Sequence, residues 1–201
     1  MNRRAIYTRP DKPMTIPVKR RDRLGKMQPV DIVEPITVDR STECHVTPGD
    51  VAARMVEYLG CVGDFMTLEP SAGTGQLTRA LLASGHSANE ITQVERHIRL
   101  ANGLCGLAPV VNRCFLEWAN EVRGSVEFPR VIMNPPFSEV RRHVAAALSL
   151  MGRGGHAEPA RLIALVPVTF RYDDAETLET LPADTFQTAR VHAKIIRIER
   201  A

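Results

Sequence analysis

From Thr47 onward the chain alternates short apolar runs with stretches of helical period, and this constrains its fold more than any other feature. Thr47 stands where an N-cap would, Pro48 suits a first helical position, and Asp50 falls where a capping box takes its acid. Val51, Met55 and Leu59, with Ala52 and Val56, form one apolar face, and Gly60 can end that helix. Phe65–Leu68 reads as a strand, Gln76–Ser84 as a helix closed by Gly85, and Ile91–Val94 as a second strand before a short helix through Leu104. Val110 and Val111 lead a weaker third strand that could reach Phe115, and Val131–Met133 is a fourth, cut off by Pro135 and Pro136. Val140, Val144, Ala147, Leu148 and Met151 recur at helical spacing, with Gly152 beyond them. Leu162–Val166 lacks polar alternation, as a strand buried on both faces does. Asp173–Leu181 reads as helical and Val191–Ile198 as a final strand. Such alternation predicts an α/β architecture, a mostly parallel central sheet flanked by helices.

A chain of 201 residues suffices for one such domain. With 44% apolar and 24% charged residues it falls among globular chains rather than disordered ones. No apolar run is long enough to span a bilayer. The N-terminal segment is charged and proline-bearing without an apolar core, so no secretory signal is read and the expectation is a cytoplasmic protein. Cys44, Cys61, Cys105 and Cys114 form no metal-binding spacing and are expected to be reduced, partly buried thiols. No metal is assigned.

The net charge of +3 is unevenly distributed: residues 1–30 carry nine Lys or Arg against Asp11 and Asp22, a net +7, and leave −4 for the rest. Residues 1–40 hold five prolines and no sustained period, so they read as an extended basic arm preceding a domain over 41–201. A basic arm on a mildly acidic body fits a nucleic-acid partner, although a solubilising tail has the same composition.

In parallel sheets ligands bind at the carboxyl ends of the strands. The first such end is Glu69-Pro70-Ser71-Ala72-Gly73-Thr74-Gly75, where glycines let the backbone approach a ligand ahead of a helix N-terminus. The second supplies Glu95, twenty residues after Gly75, which can accept from both hydroxyls of a ribose. Together they indicate a nucleoside ligand. The fourth strand runs into Asn134-Pro135-Pro136-Phe137. The Asn134 side-chain oxygen and the Pro135 carbonyl could accept from one planar amine, while Phe137 offers an apolar face for a flat substrate.

These motifs resemble the amino-methyltransferases of the class I S-adenosylmethionine superfamily, over roughly residues 41–170. The resemblance implies a Rossmann-like fold and S-adenosylmethionine as cofactor. It places the glycine turn (Glu69, Pro70, Ser71, Ala72, Gly73, Gly75) at the cofactor and makes Asn134, Pro135, Pro136 and Phe137 the active site. Glu43-Cys44-His45-Val46-Thr47-Pro48 is similar to the family element that holds the cofactor's methionine end, which implicates His45 and Thr47. Glu95, Arg96, Phe115 and Asn134 complete the expected cofactor contacts. The order of elements is similar to that of DNA adenine methyltransferases, which implies transfer to the adenine exocyclic amine, in DNA ahead of RNA. Two departures stand out. Cys114-Phe115 replaces the family's Asp-Phe or Asp-Leu, with Glu117 as the substitute acceptor for the cofactor adenine. Only one clear strand precedes Ala201, where the family core ends in an antiparallel hairpin. No segment is long enough for a separate target-recognition domain, so a partner protein or a homodimer could supply recognition. Protein glutamine or RNA guanine amines are alternative substrates, and a non-catalytic nucleic-acid-binding subunit is the alternative of another class.

Overall fold

The computed structural model describes residues 45–60, 63, 65–186 and 192–201, together with the backbone of 14–19 and 33–38. Those last two segments are β1 (Met14–Lys19) and β2 (Val33–Val38), paired antiparallel so that Pro17 lies opposite Pro35. Prolines are tolerated there because each strand of a two-stranded ribbon is also an edge. The arm expected to be extended without strand period therefore contains a ribbon, formed where Val, Ile and Thr concentrate; the rest of the arm lies outside the described residues.

The body is a seven-stranded sheet with spatial order β5–β4–β3–β6–β7–β9–β8. It comprises β3 (Thr67–Pro70), β4 (Ile91–Val94), β5 (Val110–Val111), β6 (Arg130–Met133), β7 (Ala160–Pro167), β8 (Glu176–Thr180) and β9 (Ala193–Arg200). Strands β3 to β7 run parallel, β9 lies antiparallel to β7, and β8 is antiparallel to β9. Helices α1 (Gly49–Leu59), α2 (Gln76–Ala83), α3 (Ile98–Leu104), α4 (Phe115–Val122) and α5 (Val140–Ser149) cover it. Val51, Met55 and Leu59 of α1 and Leu77 and Leu81 of α2 pack on Ile132, Ile163 and Ile195 on one face. On the other, Phe115 and Ala119 of α4 and Val144, Ala147 and Leu148 of α5 pack on Val131, Met133 and Leu162. Alternate residues of β6 and β7 thus enter opposite cores, as the two-residue period of a strand requires. The chain winds outward through β3, β4 and β5, then returns to the other side of β3 as β6, which makes the β3/β6 boundary the topological switch point.

Four expectations are corrected. Asp173–Leu181 is not a helix: Glu176–Thr180 forms edge strand β8, with a bulge between Thr177 and Glu179. Its Glu and Leu residues favour a helix locally, but pairing with β9 prevails, helped by Glu176 facing Arg197 across the hairpin with an ion pair of 2.6 Å. The terminal hairpin, read from sequence as incomplete, is therefore present. The third strand stops at Val111, and Phe115 instead opens α4, whose Phe115 and Ala119 are buried one turn apart. The first strand of the body lies two residues later than expected and includes Glu69 and Pro70. Finally, α1 has Pro48 rather than Thr47 as N-cap and no side-chain cap; Asp50 pairs with Arg54 at 3.0 Å instead of completing a capping box.

No helix among the described residues is long and apolar enough to cross a membrane. Of the cysteines, Cys105 is exposed, against the expectation of partial burial, and Cys114 is half-buried; Cys44 and Cys61 lie outside the described residues.

Candidate active site

The ends of β3, β4 and β6 surround one cavity at the carboxyl edge of the sheet. Its wall includes Glu69, Ser71, Ala72 and Gly73 from the β3 end, Glu95 and Arg96 from the β4 end, and Asn134 and Pro136 from the β6 end. His45 and Thr47 close it from the segment before α1, and Phe115 from the start of α4. Most residues singled out by sequence therefore meet in space. Pro70, Gly75, Pro135 and Phe137 do not line the cavity.

The turn after β3 is held tightly. Ala72 N–H donates to the Val94 carbonyl at 2.9 Å and Gly75 N–H to the Ala72 carbonyl at 2.8 Å. Gly73 and Gly75 have φ of 55° and 77°, and Ser71 takes the same left-handed region at 58° without being glycine. A non-glycine residue there costs about 1 kcal/mol or more, which the surrounding bonds must offset. Gly75 serves packing rather than ligand contact: a Cβ would lie 2.5 Å from Leu104 Cδ2. Helix α2 begins immediately afterwards without a side-chain cap from Gly75, while the Thr78 amide in its first turn is met by the Glu69 carboxyl.

Glu95 is buried, and both of its carboxylate oxygens are oriented by backbone. Gly73 N–H donates to Oε2 at 2.8 Å and His97 N–H to Oε1 at 2.7 Å. Each oxygen keeps lone-pair capacity for a further donor, the arrangement a ribose diol needs. Asn112 holds the same loop from below, donating to the Glu95 carbonyl at 2.8 Å and the Arg96 carbonyl at 3.1 Å.

The Asn134 side-chain amide donates twice, to the His45 carbonyl at 2.8 Å and to Thr47 Oγ1 at 3.0 Å. Both amide protons are thereby used, and Oδ1 is left as the acceptor for an incoming group. Thr47 thus accepts from Asn134 and stands one position before Pro48, the N-cap of α1. Phe137, expected to offer a stacking face, is instead buried against His45 and Phe186, with ring centroids 5.4 and 6.5 Å away. Glu117 is exposed on α4 and outside the cavity wall, so it does not replace the missing acid; Cys114 itself lines the wall.

Two titratable groups in the wall are strongly perturbed. Burial pushes the Glu69 carboxyl up to about 8, against the lowering effect of the Thr78 hydroxyl that donates to it. Burial also drives the His143 imidazole down to about 4. His143 comes from α5, packs on Phe115 at 5.6 Å and lies 3.3 Å from Ser71 Oγ through Nδ1. Sequence reasoning passed over it, yet it falls three residues after Val140 and one before Val144, on the apolar face of α5. Gln76 and Glu139 also line the wall and were not singled out, and Thr74 of the glycine turn joins them. Among the described residues no group of three His, Cys, Asp or Glu side chains could hold a metal ion.

No protein-family model matches the chain, and no curated protein matches it by sequence. Solved structures do match its fold. The 23S rRNA methyltransferase ErmE superposes with a TM-score of 0.58 at 20% identity, over 79% of this chain and 70% of that one. A candidate RNA methyltransferase from Pyrococcus horikoshii gives 0.59 at 18% identity, over 82% of this chain and 89% of that one. The modification subunit of a candidate type I restriction enzyme from Vibrio vulnificus gives 0.59 at 16% identity, over 78% of this chain but only 44% of that one. The sheet order, the reversed terminal hairpin and these superpositions together establish that the chain has a Rossmann-like methyltransferase fold.

Proposed function

We propose that the chain transfers a methyl group from S-adenosylmethionine to the exocyclic amine of adenine in a nucleic acid, with DNA the first candidate. The observation that carries this reading is the orientation of Asn134: with both amide protons given to His45 and Thr47, its oxygen is fixed as an acceptor at the end of β6. An acceptor held there binds an aromatic amine and draws its nitrogen lone pair out of conjugation, which makes the nitrogen nucleophilic. The Pro135 carbonyl is proposed as the second acceptor. Phe137 and Phe186 stiffen the wall beneath this site rather than lying open within it.

The wall also suits the cofactor. The buried Glu95 carboxylate, oriented by two amides, would hold a ribose diol; Gly73 and the first amides of α2 would approach the methionine portion. Phe115 presents an apolar surface for a purine, and neighbouring Cys114 adds no carboxylate acceptor for its amino group. The cofactor supplies a sulfonium-bound methyl group when bound. The chain's own contribution is alignment of the amine with that methyl and exclusion of water from a cavity walled by Val94, Leu77 and Phe115. His143, kept neutral by burial, adds no positive charge beside a cationic methyl donor.

RNA is the second reading, favoured by the likeness to a protein named as a 23S rRNA methyltransferase. The deciding experiment is transfer of tritiated methyl from S-adenosylmethionine to DNA, RNA and protein, followed by hydrolysis to identify the modified base. Label in N6-methyladenine supports the proposal. Label only in protein glutamine or in guanine replaces it, and S-adenosylmethionine binding without transfer to any of the three would favour a non-catalytic subunit.

A further inference from the structure

A second cleft opens at the same carboxyl edge of the sheet, beyond β6. It is lined by Val168, Phe170, Arg171 and Tyr172, which follow β7, and by Thr177, Thr180 and Lys194 of the terminal hairpin. Because β9 runs antiparallel to β7, Lys194 at its start pairs with Val166 near the end of β7. Along this edge the order is thus Glu95, the glycine turn, Asn134, the β7 end and Lys194. Asn134 lies between the two clefts, and β9 is two strands from β6, about 10 Å at the usual strand spacing.

The cleft has the chemistry of an anion site with an aromatic wall. Among the described residues no acidic side chain lines it, and neither Arg171 nor Lys194 has a carboxylate partner within ion-pair distance. Asp173 and Asp174 follow in the chain but are not part of its wall. Arg171 is braced by donating from Nη1 to the Val168 carbonyl at 2.7 Å and the Phe170 carbonyl at 3.1 Å. Lys194 donates to Thr177 Oγ1 at 3.3 Å, and burial together with the nearby Arg171 charge lowers its pKa. Phe170 and Tyr172 lie nearly parallel, 7° apart with centroids 6.5 Å apart, and Arg141 sits 5.6 Å above the Phe170 ring. Two cations brought together without an acid are stabilised by an anionic ligand.

The first turns of α5 connect the two clefts: His143 faces the cofactor cavity, while Arg141 packs on Phe170 and donates to the Arg171 carbonyl at 3.1 Å. We propose that Arg171 and Lys194 bind backbone phosphate of the target strand beside the methylated base, so that this cleft sets the register of the nucleic acid over Asn134. This rests on the nucleic-acid reading given above.

The test is fluorescence-anisotropy titration of the full chain, saturated with S-adenosylhomocysteine, against single-stranded and duplex oligonucleotides at several salt concentrations. The Arg171→Gln, Lys194→Gln double variant is compared with Arg123→Gln, Arg153→Gln, which removes equal charge at the opposite edge. With two phosphates no longer neutralised, the slope of log affinity against log salt should flatten by about 1.4 for single strands and 1.8 for duplex. The control pair should change it far less, and calorimetry should find S-adenosylhomocysteine affinity unaltered in both. Equal slopes for wild type and the cleft variant overturn this proposal while leaving the function standing. A wild-type chain that binds cofactor but no oligonucleotide overturns the nucleic-acid reading itself, and the cleft assignment with it.

Discussion

The Asn134 side-chain amide donates to Thr47 Oγ1 at 3.0 Å, joining the end of β6 to the segment that precedes α1 across 87 positions of sequence. This bond and its companion to the His45 carbonyl fix which end of the amide faces the cavity. Asn134→Ala should lower methyl transfer by roughly 10²–10³-fold, as removal of a preorganised polar group at a reacting centre does. Affinity for S-adenosylhomocysteine should fall far less than the rate, because Asn134 is only one of several expected cofactor contacts and the amine is absent from that complex. Thr47→Val leaves Asn134 its bond to His45 and should cost about tenfold in rate, the equivalent of one hydrogen bond. Single-turnover kinetics with calorimetry checks both, and full turnover in Asn134→Ala would move the active site away from β6.

Glu95 has two tasks, since the oxygens proposed for a ribose also anchor Gly73 and His97. In Glu95→Gln one oxygen becomes an NH₂ that must face a backbone N–H. Loss of charge-assisted bonds worth about 1.5–3 kcal/mol each should weaken S-adenosylhomocysteine binding by roughly tenfold or more. Amide exchange at Gly73 or His97 should also accelerate in the cofactor-free protein. Unchanged calorimetric affinity would place the ribose elsewhere, whatever the exchange data show.

Glu69 should make stability fall with rising pH. Its carboxyl is held up to about 8, chiefly by burial, against a usual value of 4.5. Between those values the folded chain keeps a proton that the unfolded chain releases, so stability declines as pH rises through the window, and the decline is complete above about 8. His143 acts at the other end: held down to about 4, it costs stability as pH falls below 6.5. Glu69→Gln removes one titration while keeping the shape of the side chain. The melting temperature of the variant relative to wild type should rise steadily between about pH 5 and pH 8.5. A difference that stays constant over that range would mean that Glu69 ionises normally.

What the sequence made legible follows from where each signal lies. Glu95 and Asn134 sit at strand ends, and Ser71 to Gly73 in a strand–helix turn, so topology alone brings them to one edge. His143 carried no such marker. On an apolar helix face a lone histidine reads as core, and only the placement of α5 over the switch point sets it against Ser71. Strand β8 was hidden for a different reason: Glu176 and Glu179 have helix-forming side chains, and their partners Arg197 and Arg54 are distant in sequence. Thr47 showed the opposite failure. Its local pattern with Asp50 favoured a capping box, whereas in the fold Pro48 is the N-cap, Asp50 pairs with Arg54 and Thr47 makes a long-range bond to Asn134. Phe137 was read as a stacking face for a flat substrate because its motif ends a strand, whereas the 3-10 turn of Phe137–Glu139 directs it into the core beneath the site.

The basic arm is expected to add a contribution separable from the second cleft. Residues 1–30 carry a net +7, while the remainder carries −4, so much of the chain's attraction for phosphate is expected to come from the arm. Removing only residues 1–30 would strip β1 of the ribbon and leave β2 without its partner, so the informative truncation removes residues 1–40. That deletion should weaken oligonucleotide binding and lower the salt slope by about 0.9 for each duplex phosphate that the arm had neutralised. S-adenosylhomocysteine affinity should be unchanged, since the described residues of the cavity wall run from His45 onward. Phosphate contacts carry no sequence information, so the truncated chain should keep whatever base preference the full chain shows. Combined with Arg171→Gln and Lys194→Gln, the truncation should reduce the slope additively if arm and cleft grip different phosphates. If the truncated chain binds with the same affinity and slope as the full one, the arm does not hold nucleic acid, and a pull-down with the arm alone then tests whether it docks on a protein.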